Sequence, residues 1–141
     1  MTTDKTSPYA ALVLRVSLGV LFIAHGLLKV IVFTPAGLAG YLESLGLPGF
    51  LAYPMIALEL GGGIALIAGF LTRWVSLALI STPLAAIVFV HADKGWLFTN
   101  EGGGWEFPAF WVVVLVVQAL LGDGVYALRM RKFSSGSMPV A

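Results

Sequence analysis

Apolar residues run along this chain in four long blocks, each closed by turn-forming residues. A hydrocarbon core of about 30 Å needs about 20 helical residues, because each adds about 1.5 Å. Four stretches meet that requirement, at about 10–33, 52–71, 74–91 and 107–128. Thr34-Pro35-Ala36-Gly37 ends the first block, since proline disfavours helix at the residue before it. Pro54 and Pro108 sit where second and fourth helices begin, a place where a missing N–H costs nothing. Gly69 to Arg73 predicts a tight hairpin between the second and third helices, and Pro83 a kink within the third. The mixed pattern from Leu38 to Leu45 predicts a short helix lying along the surface.

Composition turns these helices into membrane spans. Of the 141 residues, 59% are hydrophobic and 11% charged, whereas a soluble domain carries about 25% charged. So apolar a chain of this size cannot present a wetted exterior. The expected fold is therefore an all-α four-transmembrane-helix bundle occupying residues 1–133, with 134–141 a flexible tail. The first block is read as a retained span and not a signal peptide, because it is too long and carries charge. A net charge of +1, with no basic stripe, gives nucleic acid no purchase. The absence of cysteine removes disulfides, thiol catalysis, iron–sulfur clusters and c-type haem.

Orientation follows from the basic residues. With both termini in the cytoplasm, Lys5, Arg15, Arg73, Arg129, Arg131 and Lys132 lie inside and only Lys29 and Lys94 outside, six against two. Trp74 at one boundary, and Trp96, Trp105 and Trp111 near the other, fit interfacial belts. The expected location is the cell (cytoplasmic) membrane, multi-pass.

The ionisable groups inside the spans carry the chemical information, because each costs a few kcal/mol unless it faces the interior and finds a partner. His25 and Lys29 are four apart and share a helix face. Lys29 lies about four residues below the outer end of its helix, His25 about eight, and Glu59 about seven below the outer end of the next. His91 closes the third helix and Glu106 opens the fourth. These depths predict that His25, Lys29, Glu59, His91 and Glu106 converge in the outer half of the bundle, with Glu59 as counter-ion to Lys29. No metal site is expected. Arg15, about 20 Å from Lys29 along the axis, is assigned to the inner boundary, where its side chain snorkels. A thinner inner set comprises Arg15, Arg73, Gln118 and Asp123. Gly61-Gly62-Gly63 and Gly69 are read as sites of close helix packing, the alternative being room for a ring-shaped ligand beside Glu59.

These residues also carry a resemblance. His25-Gly26-Leu27-Leu28-Lys29 resembles the H-G-x-x-K signature of the DoxX family. Glu59-x-Gly61-Gly62, then Gly69-x-x-Thr72-Arg73, is similar to its second-helix block. His91 before Gly95-Trp96, a Gly-rich loop with Glu106, and Gly122-Asp123-Gly124 complete the order from Val13 to Leu128. Ala127-Leu128-Arg129 stands where many members end in Ser-Leu-Asp, so that aspartate's role does not transfer. The resemblance implies a four-helix membrane protein of bacterial or archaeal type, linked to respiratory redox chemistry. Some relatives are membrane subunits of thiosulfate:quinone oxidoreductase; others are associated with complexes handling oxidative and thiol stress. The lack of cysteine argues against direct sulfur chemistry in this subunit.

The reading is thus a membrane subunit of a quinone-linked oxidoreductase, with His25, Lys29 and Glu59 as proton-handling residues and His91 and Glu106 completing the quinone site. The partners expected are the lipid bilayer and a redox subunit or further copies of the chain. Three alternatives stay open: a proton or small-solute transporter, a non-catalytic anchor or assembly protein, and a b-type haem held by His25 and His91.

Overall fold

The computed structural model describes residues 4–128. Arg129, Arg131, Lys132 and the serine-rich tail lie outside the described residues. Every regular element among the described residues is helical. In chain order they are α1 (Ser7–Ile31), α2 (Pro35–Ser44), α3 (Ala52–Ala68), α4 (Thr72–Leu79), α5 (Ser81–Ala86) and α6 (Glu106–Leu121). A short 3-10 turn, Gly49–Leu51, leads into α3. A π-helical turn, Ile87–His91, and a 3-10 turn, Ala92–Lys94, continue α5. Among the described residues, three stretches are long and apolar enough to cross a membrane: Ser7–Ile31, Gly49–Ala68 and Thr72–Lys94.

The buried residues of α1 are Ala11, Arg15, Leu18, Gly19, Phe22 and Gly26, a stripe at helical spacing. It lies along α3. At the crossing, a Cβ on Gly19 would sit 2.7 Å from the Gly63 carbonyl oxygen, and one on Gly63 2.8 Å from that of Gly19. The two backbones touch, so both glycines are required by packing. Gly62 likewise faces Leu79, while Gly61 faces open space. Close approach thus accounts for Gly62 and Gly63.

Gly69, at φ 74°, closes α3, and α4 starts at Thr72 after a three-residue turn, the hairpin expected from the sequence. Pro83 cannot donate to the carbonyl of Leu79; the Thr82 hydroxyl donates to it instead, at 3.1 Å. The helix breaks nearby, between α4 and α5. The short helix expected near Leu38–Leu45 is α2, with Leu38 and Leu42 buried against Ala52 and Ile56 of α3. A second core joins Leu18, Phe22, Leu66, Leu79 and Leu115.

Two expectations are corrected. The last helix stops at Leu121 and not near Leu128. Gly122 and Gly124 have φ 77° and 70° and turn the chain back, which apolar Val125 to Leu128 conceal in the hydropathy. Segment 122–128 then folds onto the end of the bundle, with Val125 N–H donating to Pro8 O and Leu128 N–H to Ala68 O. Trp111 turns inward instead of outward to a belt: its partly buried ring packs against the core and stacks on Phe22 at 4.8 Å.

Candidate functional site

Lys29 and Glu59 meet as their depths require. The Lys29 ammonium donates to both carboxylate oxygens, at 2.7 and 2.9 Å, across the α1–α3 seam. The side chains are 18% and 5% exposed, so the pair is largely withdrawn from solvent. Such a pair gains from a weakly screened attraction, yet desolvation offsets much of that gain.

The pair lines one wall of an apolar cleft of about 140 Å³. Leu38, Tyr41 and Leu42 of α2 cover it, and Ala85, Ala86, Phe89 and Val90 of the third span form the opposite wall. The π-helical turn supplies Phe89 and Val90; such turns are frequent at functional sites. A second cleft, of about 480 Å³, shares Lys29, Leu38, Tyr41 and Val90 and extends to Phe33. An engineered cavity of about 150 Å³ holds a benzene ring. The inner space thus matches a single ring, and the outer one leads away from it.

The expected convergence of five residues does not hold. The structure brings together Lys29 and Glu59 and sends the other three elsewhere. His25 Nδ1 lies 2.9 Å from Leu21 O, so it donates to the preceding turn. Its ring stands edge-on to Trp111 of α6 at 4.7 Å. Four-residue spacing fixes the helix face, but His25 leans back toward its own N-terminal turn while the longer Lys29 reaches α3. His91 Nδ1 donates to Gly103 O at 2.7 Å and pins the loop before α6. Glu106 accepts the Phe98 N–H at 2.9 Å and closes that same loop. Neither lines the Lys29 cleft.

Arg15 also requires correction. It is fully buried and does not snorkel. Its guanidinium donates to Leu66 O at 3.0 Å, Ile67 O at 2.8 Å and Val125 O at 3.0 Å. A cation thereby caps the C-terminal end of α3, where carbonyls lack partners and the helix dipole is negative. A Cβ on Gly69 would run into Arg15 Nη1. The signal was in the spacing, because Arg15 falls on the buried stripe with Leu18, Phe22 and Gly26. Thr72, Ser76 and Gln118 are equally buried nearer this end; Gln118 Nε2 donates to Gly122 O at 2.9 Å.

Comparison with known proteins finds relatives that cover most of the chain. A Bacillus subtilis (strain 168) protein named "Putative oxidoreductase CatD" is 32% identical over 128 residues, 89% of this chain and 88% of its own. "Inner membrane protein YqjF" of Escherichia coli (strain K12) is 36% identical over 89 residues, 63% of this chain and 67% of the relative. An uncharacterized Haemophilus influenzae protein is 31% identical over 131 residues, 92% and 96% of the two chains. No solved structure matches. The DoxX family model matches residues 10–92, the stretch that holds the Lys29–Glu59 pair, the α1–α3 seam and both walls of the cleft. With that match and these relatives, the chain belongs to the DoxX family of membrane proteins.

Proposed function

We propose that the chain is a membrane subunit of a quinone-linked oxidoreductase complex, with the head group of the quinone seated against Lys29 and Glu59. One observation carries this reading: a doubly hydrogen-bonded, largely buried ion pair forms the polar wall of an otherwise apolar cleft of single-ring size. The name of the Bacillus relative, an oxidoreductase, supports the reaction class. That of the Escherichia relative supports the cytoplasmic membrane as the location. In this reading α6 is the fourth span and both termini face the cytoplasm.

The residues fit such a group. Leu38, Tyr41 and Phe89 offer flat and aliphatic walls, and the second cleft accommodates a tail. A bound quinone supplies an acceptor for electrons and protons. In this reading Lys29 would hold the quinone oxygen that gains negative charge, and Glu59 would carry the proton that balances it. His25, oriented by Leu21 O and Trp111, stands one turn from Lys29 as a second proton carrier outside the cleft. His91 and Glu106 are assigned to holding the loop.

The mutual satisfaction of Lys29 and Glu59 favours a second reading, a non-catalytic anchor in which the pair is structural. Purification of the full chain in mild detergent, followed by extraction and mass spectrometry, separates the two. Stoichiometric quinone in the parent and none in Lys29→Met/Glu59→Leu supports the site; quinone in neither refutes it. Glu59→Gln is expected to retain quinone but slow turnover, and unchanged turnover would remove Glu59 from proton transfer.

A further inference from the structure

The loop between the third span and α6 has a composition at odds with a place in water. Trp96, Leu97 and Phe98 are consecutive and 52%, 52% and 65% exposed. Phe107 and Phe110, at the start of α6, are exposed beside them. Trp96, Phe98, Phe107, Phe110 and Val113, together with Glu106, border a shallow, mainly apolar cleft of about 490 Å³. Apolar patches of this kind on a wetted surface mark an interaction site.

Two further observations identify what covers it. The first is length. α6 has 16 residues, about 24 Å of helix against a hydrocarbon core of about 30 Å. It falls short by about 6 Å, and the Trp96–Phe98 segment lies against its starting end. The second is backbone satisfaction. Within the loop the amides of Asn100, Gly103, Gly104, Trp105 and Glu106 donate to the carbonyls of Leu97, Asn100, Leu97, Gly95 and Trp96, at 2.8–3.1 Å. Phe98 N–H is taken by Glu106, Lys94 O by Asn100 Nδ2, and Gly103 O by His91. Trp96 and Trp105 lock edge-to-face at 4.6 Å. Irregular backbone tolerates hydrocarbon only when its polar groups find partners within the protein. The amides of Gly95, Trp96 and Leu97 have no partner among the described residues, so the backbone of this segment stays within reach of head-group water.

We propose that residues 95–98 of this loop lie in the head-group region of the leaflet at the Lys29 end of the bundle, with the Leu97 and Phe98 side chains dipping toward the acyl chains and extending the apolar surface of the short α6. The occupant of the cleft between Trp96, Phe98 and Phe110 is a lipid acyl chain. The polar tip, Asn100 to Gly102 with Glu101, stays in water. The loop is then an interfacial wedge whose tryptophans sit at head-group level, where amphipathic rings are favoured. This assignment is independent of quinone binding.

Because the chain has no cysteine, single-cysteine variants report one position each. Leu97→Cys, Phe98→Cys and Glu101→Cys, labelled with an environment-sensitive nitrobenzoxadiazole dye, are reconstituted in phosphatidylethanolamine/phosphatidylglycerol vesicles. Aqueous iodide and lipid spin-labelled near the top of its acyl chain serve as quenchers. The expected result is several-fold weaker iodide quenching at 97 and 98 than at 101, with the reverse order for spin-labelled lipid. Iodide quenching at 97 and 98 equal to that at 101 overturns the proposal, because the loop is then in water. Shielding of 97 and 98 from both quenchers also overturns it, because a second copy or another protein then covers the patch. Reaction of unlabelled Phe98→Cys with a charged maleimide, rapid only after detergent is added, is the matching result without a bulky dye.

Discussion

The Lys29–Glu59 pair makes a quantitative prediction that separates electrostatics from packing. Glu59→Leu removes the carboxylate and leaves an ammonium that is 18% exposed in a membrane span. A charge at the centre of a span costs about 2.5–3.5 kcal/mol on insertion scales, and breaking a buried pair about 3–5 kcal/mol. Lys29 lies two residues from the end of α1, and its stem can carry part of the charge toward the head groups. We therefore expect about 2 kcal/mol of destabilisation for Glu59→Leu. Lys29→Met strands the less exposed carboxylate on a shorter stem, and about 3 kcal/mol is expected. The double variant Lys29→Met/Glu59→Leu replaces the pair with apolar groups of similar volume, and should lie within about 1 kcal/mol of the parent. The assay is reversible unfolding in mixed micelles of rising denaturing-detergent fraction, followed by the fluorescence of Trp111 against Phe22 and His25. Additive single effects in the double variant would refute the reasoning, since the two charges would then not be stabilising one another.

Other substitutions test the frame around the site. Gly63→Ala places a methyl 2.8 Å from the Gly19 carbonyl oxygen, and neither backbone can yield. We expect a loss of about 1–3 kcal/mol in the same titration, while Gly61→Ala, which faces open space, is neutral or slightly stabilising. Arg15→Met uncouples three carbonyls from the guanidinium, with an expected cost of about 2–4 kcal/mol. Amide exchange at Val125 and Leu128 should then rise before exchange in α1. Arg15→Lys should recover only part of the loss, since an ammonium cannot span three acceptors as a planar fork does.

How much of this was readable before the structure differs by element, for physical reasons. Lipid imposes length and apolarity, so α1, α3 and the third span stand out in the hydropathy, and proline and glycine mark their ends. The Lys29–Glu59 pair was legible because depth along two antiparallel helices is set by helical rise alone. The fates of His25, His91 and Glu106 were not. Spacing fixes the face on which a residue sits, but the side-chain torsion decides whether it bonds its own turn, as His25 does to Leu21, or a neighbour. His91 and Glu106 meet acceptors and donors in a loop, Gly103 and Phe98, whose path no periodicity describes. The early end of α6 escaped notice because Gly122 terminates it by conformation, not by polarity. Arg15 was misplaced because its charge was weighed above its position on the buried stripe of α1.

The contact between Gly19 and Gly63 also fixes the mechanics of the cleft. Two helices whose backbones touch cannot rock or slide without losing that close packing, so α1 and α3 act as a stationary beam. The other two walls hang from weaker joints. α2 is attached through Thr34, a threonine at φ 62° and ψ 152°, a conformation that costs about 1–3 kcal/mol. The third span faces the cleft with a π-helical turn and a proline-loosened helix. Deformation is cheapest on that side, so any widening of the cleft is expected at α2 and the third span, while the ion pair on the α1–α3 seam stays still.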